Sequence, residues 1–131
     1  MGVTFSVQQC QLFIDQSQVW AAYFAVMEWY RAHQDNPYYV DRLAATDLAE
    51  ALAFGWTPIF DAAQNVVALE TQVLGISTRR AASLIEVLTP LAPHIRAGSF
   101  IVISHDDMGA HLFITTLRFD GKSVERETDR I

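Results

Sequence analysis

Cysteine, glycine, proline and basic residues are all scarce in this chain of 131 residues. A single cysteine, Cys10, excludes an internal disulfide and is typical of a protein from a reducing compartment. The glycines form neither a GxGxxG pattern nor a Walker-type loop, and no serine stands in a GxSxG elbow. The sequence therefore carries no recognised motif for phosphate cradling or serine hydrolysis.

Long apolar runs are absent as well. No stretch reaches the roughly 18 apolar residues that a membrane-spanning helix needs, and the start MGVTFSVQQC lacks the basic and apolar regions of a signal peptide. We expect a cytoplasmic protein without membrane contact. The length predicts a single domain over residues 1–131.

Acidic residues outnumber basic ones, 15 to 9, giving a formal net charge of −6. Nucleic-acid binding depends on Lys and Arg against phosphate, so this balance argues against a nucleic-acid partner. It permits a basic protein partner, because complementary charge speeds encounter. A hydrophobic fraction of 51% is enough to form a folded core.

The N-terminal half predicts one strand and two helices. VTFSV, residues 3–7, alternates apolar and polar side chains as a strand does. A long helix follows Asp15, which stands at capping-box spacing from Gln18, and ends before Asn36-Pro37. Residues 33–45 then read as a loop. A short helix over 46–54, capped by Thr46 and stopped by Gly55, completes this half.

The C-terminal half is richer in strand signals. WTPIFD and NVVALETQV, joined by AAQN, predict a hairpin, and a third helix follows Ser77. Residues 99–127 predict a three-strand meander with turns at 106–109 and at Asp120-Gly121. The order of elements indicates an α+β fold: an antiparallel sheet of about six strands (N-terminal strand, hairpin, C-terminal meander) packed with two to three helices.

Metal-ligating side chains cluster in the meander, where His105, Asp106, Asp107 and His111 lie close in sequence. With a four-residue loop, His105 lies opposite Ala110, and side-chain alternation then points the two imidazoles to opposite faces. An odd loop or a bulge reverses that relation. Aspartates also suit turns, because they accept hydrogen bonds from local N–H groups. We predict a hairpin tip, with no metal, no cofactor and no catalytic residue.

The same alternation makes both faces of the meander apolar, although an antiparallel sheet usually has one wet face. Either helices cover both faces, or one face is kept for a partner or a second subunit. The long helix VWAAYFAVMEWYRAH is also apolar over much of its circumference, which fits a buried helix or one that contacts another protein.

Aromatic residues with acidic neighbours predict a contact surface in the NPYYVDR segment. We predict these partner-binding residues, with the last two as a second, weaker patch: Tyr38, Tyr39, Asp35, Asp41, Trp29, Asp106 and Asp107.

Three segments resemble a group of small bacterial immunity-like proteins: MGVTFSV, ALAFGWTPIFDAAQNVVALE and LTPLAPHIRAGSFIVISHDDMGAHLFITTLRFDGKSVE. The group carries a GW…D…GNI hairpin and a later AP…GS-I…DG meander. This chain has HDDMGAHLF where the group has a glycine-rich acidic turn and then a tryptophan, and AAQN where the group has an acidic glycine turn. The resemblance implies an α+β fold and a toxin-neutralising role.

These observations together predict a non-catalytic, protein-binding inhibitor of the immunity type that acts on a toxin or other effector protein, and they leave a homodimer open. The alternative is a small-ligand-binding or sensing domain, with a pocket between helices and sheet near Trp20, Trp56 and His94.

Overall fold

A computed structural model describes residues 2–106 and 111–131. The strands are β1 (Val3–Gln11), β2 (Thr57–Phe60), β3 (Val66–Glu70), β4 (Gln72–Ile76), β5 (Phe100–Asp106), β6 (Leu112–Phe119) and β7 (Val124–Arg130). The helices are α1 (Val19–Ala32), α2 (Pro37–Val40), α3 (Leu48–Leu52), α4 (Thr78–Glu86) and α5 (Leu88–Leu91). Short 3₁₀ turns stand at Gln16–Gln18 and Ala92–His94.

Five strands form one antiparallel sheet in the order β4-β1-β5-β6-β7, and β2 and β3 form a separate two-stranded sheet. The predicted α+β fold with an antiparallel sheet is confirmed. The predicted hairpin was wrong in one respect. Its second run divides at Thr71, so that β3 pairs with β2 while β4 pairs with β1. The described residues therefore hold seven strands rather than six.

Helix starts follow local capping. Asp15 caps the turn before α1 through its Oδ1, which accepts from Ser17 N at 2.9 Å. Ser77 caps α4 by accepting from Arg80 N at 3.0 Å. The short α3 is capped by Asp47, not by Thr46 as predicted. The Asp47 carboxylate accepts from Glu50 N, and the Glu50 side chain reaches back to Thr46 N, each at 2.8 Å.

Residues 37–40, predicted as part of a loop, form the helical turn α2. Asn36 accepts from Tyr38 N at 3.0 Å, and Pro37 supplies a preset φ angle at the first position. Asn36 also donates to Ser83 Oγ at 2.8 Å, which anchors the turn against α4. Tyr39 is carried into the core by this turn and is 1% exposed.

Buried aromatic side chains satisfy backbone carbonyls at helix ends. Tyr30 Oη donates to Ala51 O at 2.7 Å, and Trp56 Nε1 donates to Leu84 O at 2.7 Å. Tyr30 stacks on Tyr39 with ring centroids 4.8 Å apart. These contacts join α1, α2, α3 and α4 into one core. The hydrogen bonds also satisfy buried carbonyls that would be costly to leave unpaired.

The meander has a different register from the one expected. His105 lies opposite Phe113, not Ala110, because β5 ends at Asp106 and β6 begins at Leu112. The intervening stretch, 107–111, has an odd number of residues. Consequently Phe113 and Leu117 of β6 lie on the same face of the sheet as His105, and Leu112 and Ile114 lie on the opposite face.

Candidate functional site

The five-stranded sheet has one covered face and one open face. Covered side chains such as Phe5, Ile101, Ile103 and Leu117 are buried, at 1% exposure or less. Side chains at the alternate positions are all half-buried or exposed in the described part of β1, β5, β6 and β7. We call this second surface the open face.

The open face is built from cross-strand rows. Three rows run from β1 through β5 and β6 to β7, and a fourth joins only β5 and β6. The rows are Gln11–Phe100–Arg118–Glu125, Gln9–Val102–Thr116–Glu127 and Ser6–Ser104–Ile114–Asp129, with Asp106–Leu112 at the end.

The rows give the open face three zones. Its β1 side is uncharged and polar, and its centre holds the apolar side chains of Phe100, Val102 and Ile114. Leu112, at the end of this centre, is 46% exposed. A sheet face that meets solvent usually carries polar side chains, so this group of apolar side chains is unusual.

The β7 side of the open face is acidic. Glu125, Glu127 and Asp129 stand at alternate positions of this edge strand and are exposed. Arg118 is the basic residue in the four rows, and its Nη1 lies 3.1 Å from Glu127 Oε2. An exposed pair of this kind stabilises the fold by ~1 kcal/mol at most. The carboxylates on this side therefore contribute little to the stability of the fold and are available to a partner.

A hydrogen-bond cluster fixes the polar side of the open face. Gln8 Nε2 donates to Ser6 Oγ at 3.0 Å and to Ser104 Oγ at 2.8 Å, and the two hydroxyls are 3.0 Å apart. Asp106 Oδ1 accepts from Thr4 N at 2.9 Å. These bonds hold the side chains in place before any partner arrives, which lowers the entropy cost of binding.

The predicted contact residues fall into separate groups. Asp106 lies on the open face, whereas Asp107 lies outside the described residues. Asp35 and Asp41 are exposed at the two ends of α2. Tyr39 is a core residue, which corrects the expectation that it lies in an exposed loop.

Trp29 and Tyr38 are half-buried and already engaged. Trp29 stacks on His33 with centroids 4.0 Å apart. Tyr38 stacks on Phe54 at 6.3 Å, and its hydroxyl lies 2.9 Å from Ser77 Oγ. The aromatic part of the first predicted patch thus contributes mainly to packing around α2.

Two aromatic residues that sequence reasoning did not assign as contacts are strongly exposed. Trp20 is 59% exposed and Phe24 is 61% exposed. Trp20 also lines a groove of about 400 Å³ with Tyr23, Leu48 and Phe60. Trp20 thus lines this groove, and Trp56 and His94 do not. The signal in the sequence was the apolar circumference of α1.

A more polar cleft of about 710 Å³ lies between β1 and the β2–β3 sheet, lined in part by Cys10, Glu70 and Thr71. Burial raises the pKa of the Cys10 thiol, which disfavours the nucleophilic thiolate. Thr71 Oγ1 is buried and has no hydrogen-bond partner in the described part of the chain.

His105 makes ordinary structural contacts within the meander. His105 Nε2 lies 2.7 Å from Thr115 Oγ1, and its ring stacks on Phe113. Burial lowers the pKa of His105, and the charge of Arg126 lowers it further. Within residues 2–106 and 111–131, no group of three or more His, Cys, Asp or Glu side chains could hold a metal ion. The same residues include no helix long and apolar enough to cross a membrane.

In comparisons with known proteins, no family model matches the chain, and no curated protein or solved structure matches it either.

Proposed function

We propose that the protein binds a basic protein on its open face and acts as a non-catalytic inhibitor of the immunity type. One observation carries the proposal: an apolar sheet surface whose side chains are half-buried or, at Leu112, exposed in the described fold, bordered on its β7 side by carboxylates. A stable interface commonly has an apolar centre within a polar rim, and the open face has both.

Charge decides which partner fits. Asp106, Glu125, Glu127 and Asp129 all project from the open face, against the single guanidinium of Arg118. A surface rich in Lys and Arg would be attracted to this face and oriented by it. Nucleic acid would be repelled for the same reason.

Inhibition by this route needs no reactive group in the inhibitor. It requires an ordered surface that covers a functional region of the partner, and the Gln8–Ser6–Ser104 cluster orders the β1 side of the open face. The proposal therefore assigns no catalytic residue, metal ion or cofactor to the chain.

Affinity capture from the native cell tests the proposal. The full chain is immobilised, and proteins recovered at near one-to-one ratio are identified and assayed with and without the chain. We expect a basic protein whose own activity is blocked in the complex. Recovery should fall with added salt, since exposed charge pairs are screened over ~8 Å at physiological ionic strength.

Matched charge reversals locate the surface. Glu125→Lys with Asp129→Lys alters the open face, and Asp35→Lys with Asp41→Lys makes the same charge change beside α2. We expect only the first pair to lower affinity, by at least about tenfold for loss of ~1.4 kcal/mol. Equal affinity of the first pair and wild type would refute the open-face site, and selective loss with the second pair would move the site to α2.

A second candidate function rests on the cleft lined by Cys10, Glu70 and Thr71. An unpaired buried hydroxyl at Thr71 is the kind of group that a small polar ligand satisfies. Thr71→Val would then abolish thermal stabilisation by such a ligand in a screen of polar metabolites, whereas the open-face reversals would leave it unchanged.

A further inference from the structure

The exposed side of α1 differs from the rest of the surface because its first two turns carry no charge; Glu28 and Arg31 lie on the same side in the turns that follow and are exposed. Residues 16–27 contain no Asp, Glu, Lys or Arg, in a chain of which 18% is charged. Trp20 and Phe24 project from this side on successive turns, and Ala21 is exposed beside them. We call this surface the α1 face.

The aromatic side chains of the α1 face are held in place. Trp20 packs edge-on against Tyr23 at 5.6 Å, and Tyr23 packs edge-on against Phe24 at 5.2 Å between centroids. Tyr23 is in turn fixed by its hydroxyl, which donates to Ala45 O at 2.6 Å. Rings held in this way lose little further entropy on binding.

A raised ridge and a recess lie side by side on this face. Trp20 and Phe24 form the ridge, and the groove between α1, α3 and the β2–β3 hairpin is lined by Trp20, Leu48, Ala49 and Phe60. A two-fold dimer needs a surface that is complementary to itself. A ridge next to an apolar recess meets that requirement, because each copy can place its aromatic ridge in the recess of the other.

Charge favours a second copy of this chain as the occupant. Two copies each carry a formal charge of −6, so contact elsewhere brings carboxylates together. Two open faces would oppose rows of Glu and Asp, whereas two α1 faces oppose the neutral rings of Trp20 and Phe24, with one carboxylate and one guanidinium, Glu28 and Arg31, in the following turns. The groove contributes one charged lining residue, Asp47, at its edge. A basic partner would gain little from this face, because the charges of Glu28 and Arg31 offset each other.

The exposed area indicates a dimer of modest affinity. A buried aromatic side chain contributes ~150–250 Å². Trp20 and Phe24 are 59% and 61% exposed. With those areas per side chain, burial of both rings in both copies would remove roughly 400–600 Å² of ring surface from water. A stable interface buries about 1,200 Å² or more, so the groove rim must supply the remainder. We therefore propose that the α1 face forms a two-fold homodimer, independently of the inhibitor role, with a dissociation constant in the micromolar range.

Sedimentation velocity of the full chain alone tests this proposal. Protein concentrations from about 1 to 500 μM cover the micromolar dissociation constant that we expect. We expect the mass to rise from 14.7 kDa towards twice that value. Tryptophan emission should shift to the blue over the same range, because Trp20 becomes buried while Trp56, which is buried, and Trp29, which stacks on His33, lie outside the contact. Phe24→Glu, at a position too exposed to unfold the protein, should weaken dimerisation at least about 30-fold, since it places a carboxylate in an apolar contact.

Leu112→Glu is the matched control, because Leu112 is an exposed apolar residue on the open face. It should leave dimerisation unchanged. A wild-type chain that stays monomeric at 500 μM would overturn the proposal and leave the α1 face to a different protein. Loss of the dimer with Leu112→Glu but not with Phe24→Glu would also overturn it. Neither result bears on capture of a basic partner.

Discussion

Replacing Tyr30 with Phe should destabilise the protein far more than the same replacement at its stacked neighbour Tyr39. Both rings are buried, at 0% and 1% exposure, and their centroids are 4.8 Å apart. Removal of one hydroxyl leaves the stacking and nearly all of the volume unchanged. The two substitutions therefore differ mainly in the hydrogen bond that each removes.

Tyr30 donates to Ala51 O at 2.7 Å, a short bond that satisfies a buried carbonyl near the end of α3. Its loss leaves that carbonyl unpaired and should cost ~1–3 kcal/mol. The Tyr39 hydroxyl makes two long contacts instead, at 3.4 Å to Ser83 O and to Glu86 Oε2. Bonds of that length are weak, so Tyr39→Phe should cost less than ~1 kcal/mol.

Urea unfolding followed by tryptophan fluorescence measures both changes. With an m value of ~1–3 kcal/mol/M, Tyr30→Phe should lower the midpoint by about 1 M, and Tyr39→Phe by a small fraction of that. Equal midpoint shifts for the two variants, with unchanged m values, would refute the assignment of the Ala51 carbonyl to Tyr30. The measurement needs no partner and no ligand.

Two further predictions concern the core and the sheet. Trp56→Phe should lower the free energy of unfolding by ~2–4 kcal/mol, because it leaves Leu84 O unpaired and opens a void. Urea unfolding followed by circular dichroism measures this loss. A loss below ~1 kcal/mol would contradict the 2.7 Å bond between Trp56 Nε1 and Leu84 O. The pKa of His105 is lowered from 6.5 by burial, so the unfolded state protonates first as the pH falls. The free energy of unfolding should therefore decline from pH 7.5 to 5.5, and His105→Gln should reduce that decline; His94, whose pKa burial also lowers, accounts for a remaining part.

The sequence predicted those features that depend on a few adjacent residues. Asp15 and Ser77 were recognised as caps because a carboxylate or hydroxyl before a helical pattern has one local use. The turn at Asp120-Gly121 followed from the same logic. Asp120 Oδ1 accepts from Lys122 N and Ser123 N, and Gly121 adopts φ 92°, where other residues are strained.

Features that depend on distant packing were not predicted. The meander register differs from the prediction because five residues rather than four separate β5 from β6, and a difference of one residue moves side chains to the other face. The break between β3 and β4 falls at Thr71, with neither glycine nor proline to mark it. Nothing in the local sequence separates Tyr39, which α2 turns into the core, from an exposed tyrosine.

The candidate site shows the same division. An apolar second face of the sheet followed from side-chain alternation, although which residues lie on it required the true register. The exposure of Trp20 and Phe24 could not be derived, because an all-round apolar helix has more than one way to bury itself. The structure resolves that choice by packing the side of α1 that carries Ala22, Val26 and Tyr30 inward.

Ile14, in the segment between β1 and α1, forms a backbone bridge to Val66 of the smaller sheet. Ile14 and Val66 exchange two backbone hydrogen bonds of 2.9 Å, and both residues are fully buried. Their amide protons can meet solvent only when the region between the β2–β3 hairpin and the main sheet comes apart. The hairpin is thereby coupled to the cooperative unit of the whole fold, and deuterium uptake at these two amides reports global rather than local opening.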